Sequence, residues 1–194
     1  MEQPLMNILY IHGFGSKFKS QSDKVKSLSS IGVVHGIDID YTDRKSDIIS
    51  QLESVIIQED IELLVGTSMG GYFSAEVGLM VGLPYVMINP AMNPRTTLSK
   101  YIGEGVDYYG RPYHLEESTV EEYDQMALEK QHGLLLLDKG DELIDYRETV
   151  RLLPDIQTLI FEGGSHRFDH IDESLETIQQ YANRLSVVLG FGEC

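Results

Sequence analysis

Basic side chains are scarce in this sequence: 15 Lys and Arg stand against 31 Asp and Glu among 194 residues, a formal net charge of −16. Attraction to a polyphosphate needs clustered cations, and a field of this sign repels one, so nucleic acid is excluded as a partner. Cysteine is nearly absent. Its one example, Cys194, can form no internal disulfide, which fits a reducing compartment. No apolar run approaches the roughly 20 residues that cross a bilayer. The stretch Ile8 to Ile11 stops at His12 and Gly13, and Met1 to Met6 carries Glu2 and no basic residue, unlike a secretory signal. The expectation is a cytoplasmic protein without a membrane span. Internal repeats and low-complexity stretches are also missing.

What the sequence does have is apolar residues, 42% of the total, gathered in compact runs such as Leu134 to Leu137. Such runs can bury a core, so the chain reads as globular, and its length suits a single domain over residues 1–194. Strands are expected at Asn7 to Ile11, Val33 to Ile39, Leu63 to Val65, Tyr85 to Ile88, Leu134 to Leu137 and Thr158 to Phe161. Helical patterns lie between and after them, at Gln21 to Leu28, Ser46 to Gln58, Met69 to Val81, Asp145 to Leu153 and Glu173 to Leu189. Strands that are apolar throughout are covered on both faces by crossover helices, so the alternation predicts an α/β fold: a mostly parallel sheet of about six strands between two helical layers. Ile48, Leu52, Val55 and Ile56 show the three-and-four spacing of a helix that packs one face on such a sheet. Ala91 to Lys130 breaks the pattern. No strand is expected there, and Tyr101, Tyr108, Tyr109, Tyr113 and Tyr123 gather among acidic residues. A connection this long after the fourth strand reads as a helical insertion, and as a lid if it covers a site. Gly190 to Cys194 reads as a frayed end.

The sharpest chemical signal is Gly66-Thr67-Ser68-Met69-Gly70-Gly71, between a strand and a helix. At such a reversal the backbone forces the serine into a strained conformation, and the flanking glycines avoid collision with neighbouring backbone. The hydroxyl of Ser68 is thereby presented at the carboxyl edge of the sheet. A serine alcohol needs a base, and His166 suits best: it follows the last strand through the flexible loop Glu162-Gly163-Gly164-Ser165. His12, His35, His114, His132 and His170 are placed less well. The base in turn needs a carboxylate to fix its tautomer, and Asp141 lies in the loop after Leu134 to Leu137, with Asp138, Glu142 and Asp145 close enough to compete. Serine, then acid, then histidine is the chain order this architecture uses. Acyl transfer also needs donors for an oxyanion. Backbone amides of Met69, after the serine, and Phe14, in His12-Gly13-Phe14-Gly15-Ser16 after the first strand, are in position to supply them.

Five pieces, Ile8 to Phe14, Gly66 to Gly71, Asn89-Pro90-Ala91, Gly140-Asp141-Glu142 and Glu162 to His166, fall in an order that resembles the α/β-hydrolase superfamily. Within it the chain resembles the small bacterial esterases of the YqiA/YcfP type, from Met6 to about Val188. The resemblance implies a serine esterase or thioesterase with Ser68 as nucleophile, Asp141 as acid and His166 as base, acting on a small-molecule acyl ester or thioester with no cofactor and no metal. It also implies a sheet shortened by the loss of the usual opening strand pair. The residue directly after the acid-bearing strand, commonly glycine, is Asp138 here, so two aspartates compete.

Three other readings stand beside this one. His166 and His170 are spaced as two ligands on one helical face, which would suit a zinc hydrolase, although Gly163 and Gly164 disfavour a helix there. A fold can also be kept for binding alone. Transfer of the acyl group to an acceptor other than water would use the same residues. A highly anionic substrate would require local positive charge from Arg95, Lys100 or Arg111.

Overall fold

The computed structural model describes residues 5–126 and 133–189. Six strands form one parallel sheet: β1 (Met6–Ile11), β2 (Gly32–His35), β3 (Leu63–Thr67), β4 (Tyr85–Ile88), β7 (Gly133–Asp138) and β8 (Gln157–Phe161), in the order β2-β1-β3-β4-β7-β8. The register sets Leu9 beside His35 and Leu64, Val65 beside Val86, and Ile88 beside Leu136. Side chains alternate across a strand, and the two sets go to different cores. Leu9, Ile11, Leu64, Met87, Leu135 and Leu137 pack with α2 (Lys45–Gln58) and α3 (Met69–Val81) on one face. Ile8, Tyr10, Val65, Val86, Leu134 and Leu136 pack with α1 (Asp23–Leu28) and α7 (Ile171–Leu189) on the other. Complete burial of a Leu, Ile or Val side chain contributes roughly 1.5–3 kcal/mol. That is why these short runs need no polar alternation.

The helices begin and end within two residues of their expected bounds, for identifiable reasons. The Ser22 hydroxyl accepts the Val25 amide and starts α1, and Asp145 accepts the Arg147 amide and starts α6 (Tyr146–Leu152). Gly82, at φ +77°, closes α3. The second strand stops at His35 rather than at Ile39.

The segment after β4 corrects the expectation of an all-helical insertion. It holds α4 (Pro94–Leu98), a 3₁₀ turn at Ser99–Tyr101, α5 (Glu117–Glu121) and a separate antiparallel hairpin of β5 (Gly103–Val106) with β6 (Pro112–Leu115). Glycine and proline give these strands little intrinsic β preference, so no apolar run marks them. The turn between them is what organises the hairpin. Asp107 accepts the amides of Tyr109 and Arg111, each at 2.8 Å, and Gly110 takes φ +75°. The hairpin meets the main body where the Tyr108 amide donates to the Gly15 carbonyl at 3.1 Å. Lys130 and His132, at the end of this segment, and the tail from Gly190 to Cys194 lie outside the described residues. Among the described residues no helix is long and apolar enough to cross a membrane.

The strand order reverses direction at β1, between β2 and β3. A crevice opens at the carboxyl ends of strands on either side of such a switch point. The loops after β1 and β3 carry Phe14 and Ser68, so the fold itself brings those two loops together.

Candidate active site

Ser68 sits between β3 and α3 at φ 58° and ψ −120°, a conformation that costs a non-glycine residue roughly 1–3 kcal/mol. Four backbone hydrogen bonds hold it there. Its amide donates to the Ile88 carbonyl at 3.0 Å, and its carbonyl accepts from Gly71, Tyr72 and Ala91 at 2.9, 3.2 and 3.1 Å. The glycines are dictated by contact. A Cβ on Gly66 would stand 1.9 Å from the Gly70 oxygen, and one on Gly70 would stand 2.0 Å from the Ile11 oxygen. The close passage of three backbones at this turn therefore explains the Gly-x-Ser-x-Gly spacing.

His166 lies in the loop between β8 and α7, where Gly163 and Gly164 take φ +71° and +74°. Its Nδ1 is 2.8 and 3.0 Å from the two carboxylate oxygens of Asp141. Asp141 also accepts the amides of Leu143 and Ile144 at 2.8 and 2.9 Å, and its side chain is only 2% exposed. A carboxylate can only accept, so the network assigns the proton of the neutral ring to Nδ1 and leaves Nε2 with its lone pair. Ser68, His166, Phe14 and Met69 line one cavity of about 250 Å³. The amides of Phe14 and Met69 donate to no other described group. The Ser68 hydroxyl makes no hydrogen bond to a described residue. The structure thus brings the expected residues to one cavity, with Asp141 on the ring of His166.

The rival carboxylates have other partners. Asp145 caps α6. Glu142 accepts the His166 amide at 2.9 Å, and that bond, foremost, holds its carboxyl below the usual carboxylate range. Asp138 is fully buried. One of its oxygens accepts the amides of Ser165 and Asp169 at 3.2 and 2.8 Å, and the other lies 2.6 Å from His170 Nδ1. His170 stacks on Phe161, with ring centroids 4.8 Å apart. His166 and His170 therefore share no helical face: each turns Nδ1 to a different aspartate, in a loop.

Sequence reasoning missed what holds that loop in place. Asn89, buried at the end of β4 with φ 41°, donates from Nδ2 to the carbonyls of Ser165 and His166 at 3.0 and 3.3 Å, while its Oδ1 accepts the Asp138 amide at 2.9 Å. Asn89 and Asp138 together grip both sides of the histidine loop. Strand alternation was the available signal for Asp138. It shares the parity of Leu134 and Leu136, so its side chain belongs to the face of α7 and meets the loop that leads into that helix.

The remaining described histidines, His12, His35 and His114, have local partners. His12 donates from Nδ1 to the Gly13 carbonyl at 2.9 Å and accepts the Ile39 amide on Nε2, also at 2.9 Å, which ties the loop after β1 to the segment after β2. Burial, above all, lowers its pKa. His35 lies against Glu59, and His114 between Glu104 and Glu116. Of the three expected cations, Arg95 bonds the Glu121 carbonyl, Arg111 is paired with Asp107, and Lys100 lines the cavity.

This fold is that of the α/β-hydrolases. Est1E from Butyrivibrio proteoclasticus superposes with a TM-score of 0.71 at 16% identity, covering 96% of this chain and 90% of that one, and has also been solved with ferulic acid bound. A monoacylglycerol lipase from Paleococcus ferrophilus gives 0.69 at 15% identity over 94% and 97%, and the carboxylesterase CesB from Bacillus subtilis 0.63 at 15% over 97% and 85%. The chain belongs to the family described as Uncharacterised protein family (UPF0227), whose pattern matches residues 7–183. The UPF0227 protein VP0969 of Vibrio parahaemolyticus is 30% identical over 184 residues, 91% of this chain and 99% of that protein.

Proposed function

We propose that the chain is a serine hydrolase that cleaves acyl esters or thioesters. One observation carries this reading: a strained serine and a histidine already bonded to a buried carboxylate line the same cavity. The Ser68 oxygen attacks the acyl carbonyl while His166 Nε2 takes its proton. Asp141 keeps the ring oriented and stabilises the imidazolium as it forms. The negative charge that develops on the carbonyl oxygen meets the free amides of Phe14 and Met69. When the tetrahedral intermediate collapses, His166 returns the proton to the departing alcohol or thiol. Water then attacks the acyl-enzyme, with His166 again as base, and the acid product leaves. The described residues form one domain in this reading, and 91–126, the described part of the 91–130 insertion, is its cap: Leu98, Tyr101, Tyr108 and Tyr113 supply much of the cavity wall. The likeness to esterases and lipases supports the reaction class.

The test combines covalent labelling with turnover. A fluorophosphonate should label the wild type and not Ser68→Ala, and hydrolysis of nitrophenyl acetate should depend on Ser68. An unlabelled, inert wild-type protein would overturn the proposal.

A further inference from the structure

Ser68 and His166 are carried by strands that are not neighbours. Their loops follow β3 and β8, and in the sheet β4 and β7 lie between those two. The histidine loop must therefore run back along the carboxyl edge, past two strands, to bring its ring near the serine. Side chains at the ends of those strands hold it on the way. Asp138, ending β7, accepts the amides of Ser165 and Asp169, and Asn89, after β4, donates to the carbonyls of Ser165 and His166. Neither side chain bonds to β3.

Lys24, on α1, does. Its Nζ lies 2.6 Å from the Arg167 carbonyl oxygen and 3.1 Å from Thr67 Oγ1. Arg167 directly follows His166, and Thr67 directly precedes Ser68. One ammonium thus joins the backbone that carries the histidine to the strand that carries the serine, and among the described residues no other side chain hydrogen-bonds to both. Thr67 shares the parity of Leu63 and Val65, so its hydroxyl belongs to the face of α1, where Tyr10 Oη lies 3.2 Å away. The helix is itself well seated. Val25 and Leu28 are buried, and the Ser27 hydroxyl donates to Asp172 at the start of α7 at 2.5 Å.

Two features set this link apart from simple charge neutralisation. The chain has 31 Asp and Glu against 15 Lys and Arg, yet this half-buried ammonium pairs with no described carboxylate and turns its donors to two neutral oxygens. The peptide it grips is also strained. Phe168 takes φ 65°, uncommon for a bulky residue, and its amide donates to the Ser165 carbonyl at 2.9 Å. Both ends of the Arg167–Phe168 peptide are therefore held, the N–H by Ser165 and the oxygen by Lys24. A strained turn persists where its surroundings over-determine it.

We propose that Lys24 is a positioning residue whose ammonium, from behind the site, sets the approach of His166 to Ser68. It does not line the cavity and bonds to neither side chain. The inference rests on the reading of Ser68 as nucleophile and His166 as base, and adds the group that fixes their separation.

Lys24→Met keeps the stem and removes the donor. The turnover number for nitrophenyl acetate and the rate of fluorophosphonate labelling should fall together by about 10- to 100-fold, while KM stays within about threefold because the substrate never meets this residue. Rates are taken per serine that labels at completion, so a misfolded fraction does not enter; a role in stability alone would lower the melting temperature and leave those rates unchanged. A second pair of proteins isolates the charge. Lys24→Cys is made together with Cys194→Ser, which removes the chain's own cysteine. Alkylation with bromoethylamine then restores a side chain of lysine's length ending in an ammonium, and bromopropane gives one of equal length ending in a methyl group. The first should return both rates to within about threefold of the wild type, and the second should match Lys24→Met. Equal rates in the two alkylated proteins, or wild-type rates in Lys24→Met, would overturn the inference, and Ser68-dependent hydrolysis by the wild type would leave the hydrolase reading standing. If the wild type neither cleaves the ester nor takes the label, both fall.

Discussion

Replacing Asn89 should test whether the loop it holds carries the proposed base, His166. The side chain makes three hydrogen bonds, two to the carbonyls of Ser165 and His166 and one from the Asp138 amide. At a net contribution near 1 kcal/mol each, Asn89→Ala loses about 3 kcal/mol. The residue also sits at φ 41°, where asparagine is tolerated far better than alanine, and this adds about 1 kcal/mol. A total of about 4 kcal/mol lowers the melting temperature by roughly 8–16 °C for a chain of this size. The loss falls on the loop that carries His166, so kcat should drop as well. A displacement of about 1 Å in a catalytic group can cost 10²-fold, whereas KM should stay within about threefold because Asn89 does not line the cavity. Asn89→Asp sharpens the test, because it keeps the Oδ1 acceptor and turns an oxygen toward the two carbonyls where an amino group had donated. It should be at least as damaging as alanine. The assays are thermal unfolding, and steady-state turnover of nitrophenyl acetate at least 15 °C below each variant's midpoint. Wild-type kcat in an Asn89→Ala protein that melts early would refute the argument that this residue positions the base, and an unchanged melting temperature would refute the hydrogen-bond accounting itself.

Ser68→Gly should abolish turnover yet raise stability by about 1–2 kcal/mol, because glycine occupies the strained elbow conformation freely; a destabilised variant in chemical denaturation would count against strain at this turn. Asp141→Asn should lower kcat by about 10⁴-fold through loss of the correct tautomer, whereas Asp145→Asn, an equivalent helix cap, should leave kcat and unfolding within error; the opposite outcome would reassign the acid. Buried His12 has its pKa lowered below 6.5, so the unfolded chain binds a proton that the folded chain resists. Its contribution to stability is therefore complete above pH 6.5 and is lost as the pH falls below that value. His12→Gln should flatten the decline in denaturation midpoint between pH 7 and pH 5; identical slopes in the two proteins would exclude this source.

The parts of the molecule that were legible in the sequence are those fixed by short-range rules. Strands β1, β3, β4 and β7 are buried on both faces, and uninterrupted apolar runs announce them. Ser68 is legible for a steric reason, since three backbones crossing at one turn admit only glycine at positions 66 and 70. The hairpin of β5 and β6 escaped notice because Gly103, Gly105 and Pro112 mask it, and its stability comes from Asp107 and from packing on Phe14 rather than from strand preference. The choice between Asp138 and Asp141 belongs to a third kind. Both follow the same run of leucines, and composition treats them alike. The pleat does not: Asp138 is the last residue of β7 and must point to the face of α7, beneath the histidine loop, while Asp141, three residues on, has left the strand and is free to reach the ring of His166 from the rim. Two Asp–His pairs spaced three and four residues apart thus divide one loop between them, the buried pair holding it and, in the proposed mechanism, the rim pair orienting the base. A period of two, carried one residue past the end of the leucines, is enough to tell them apart.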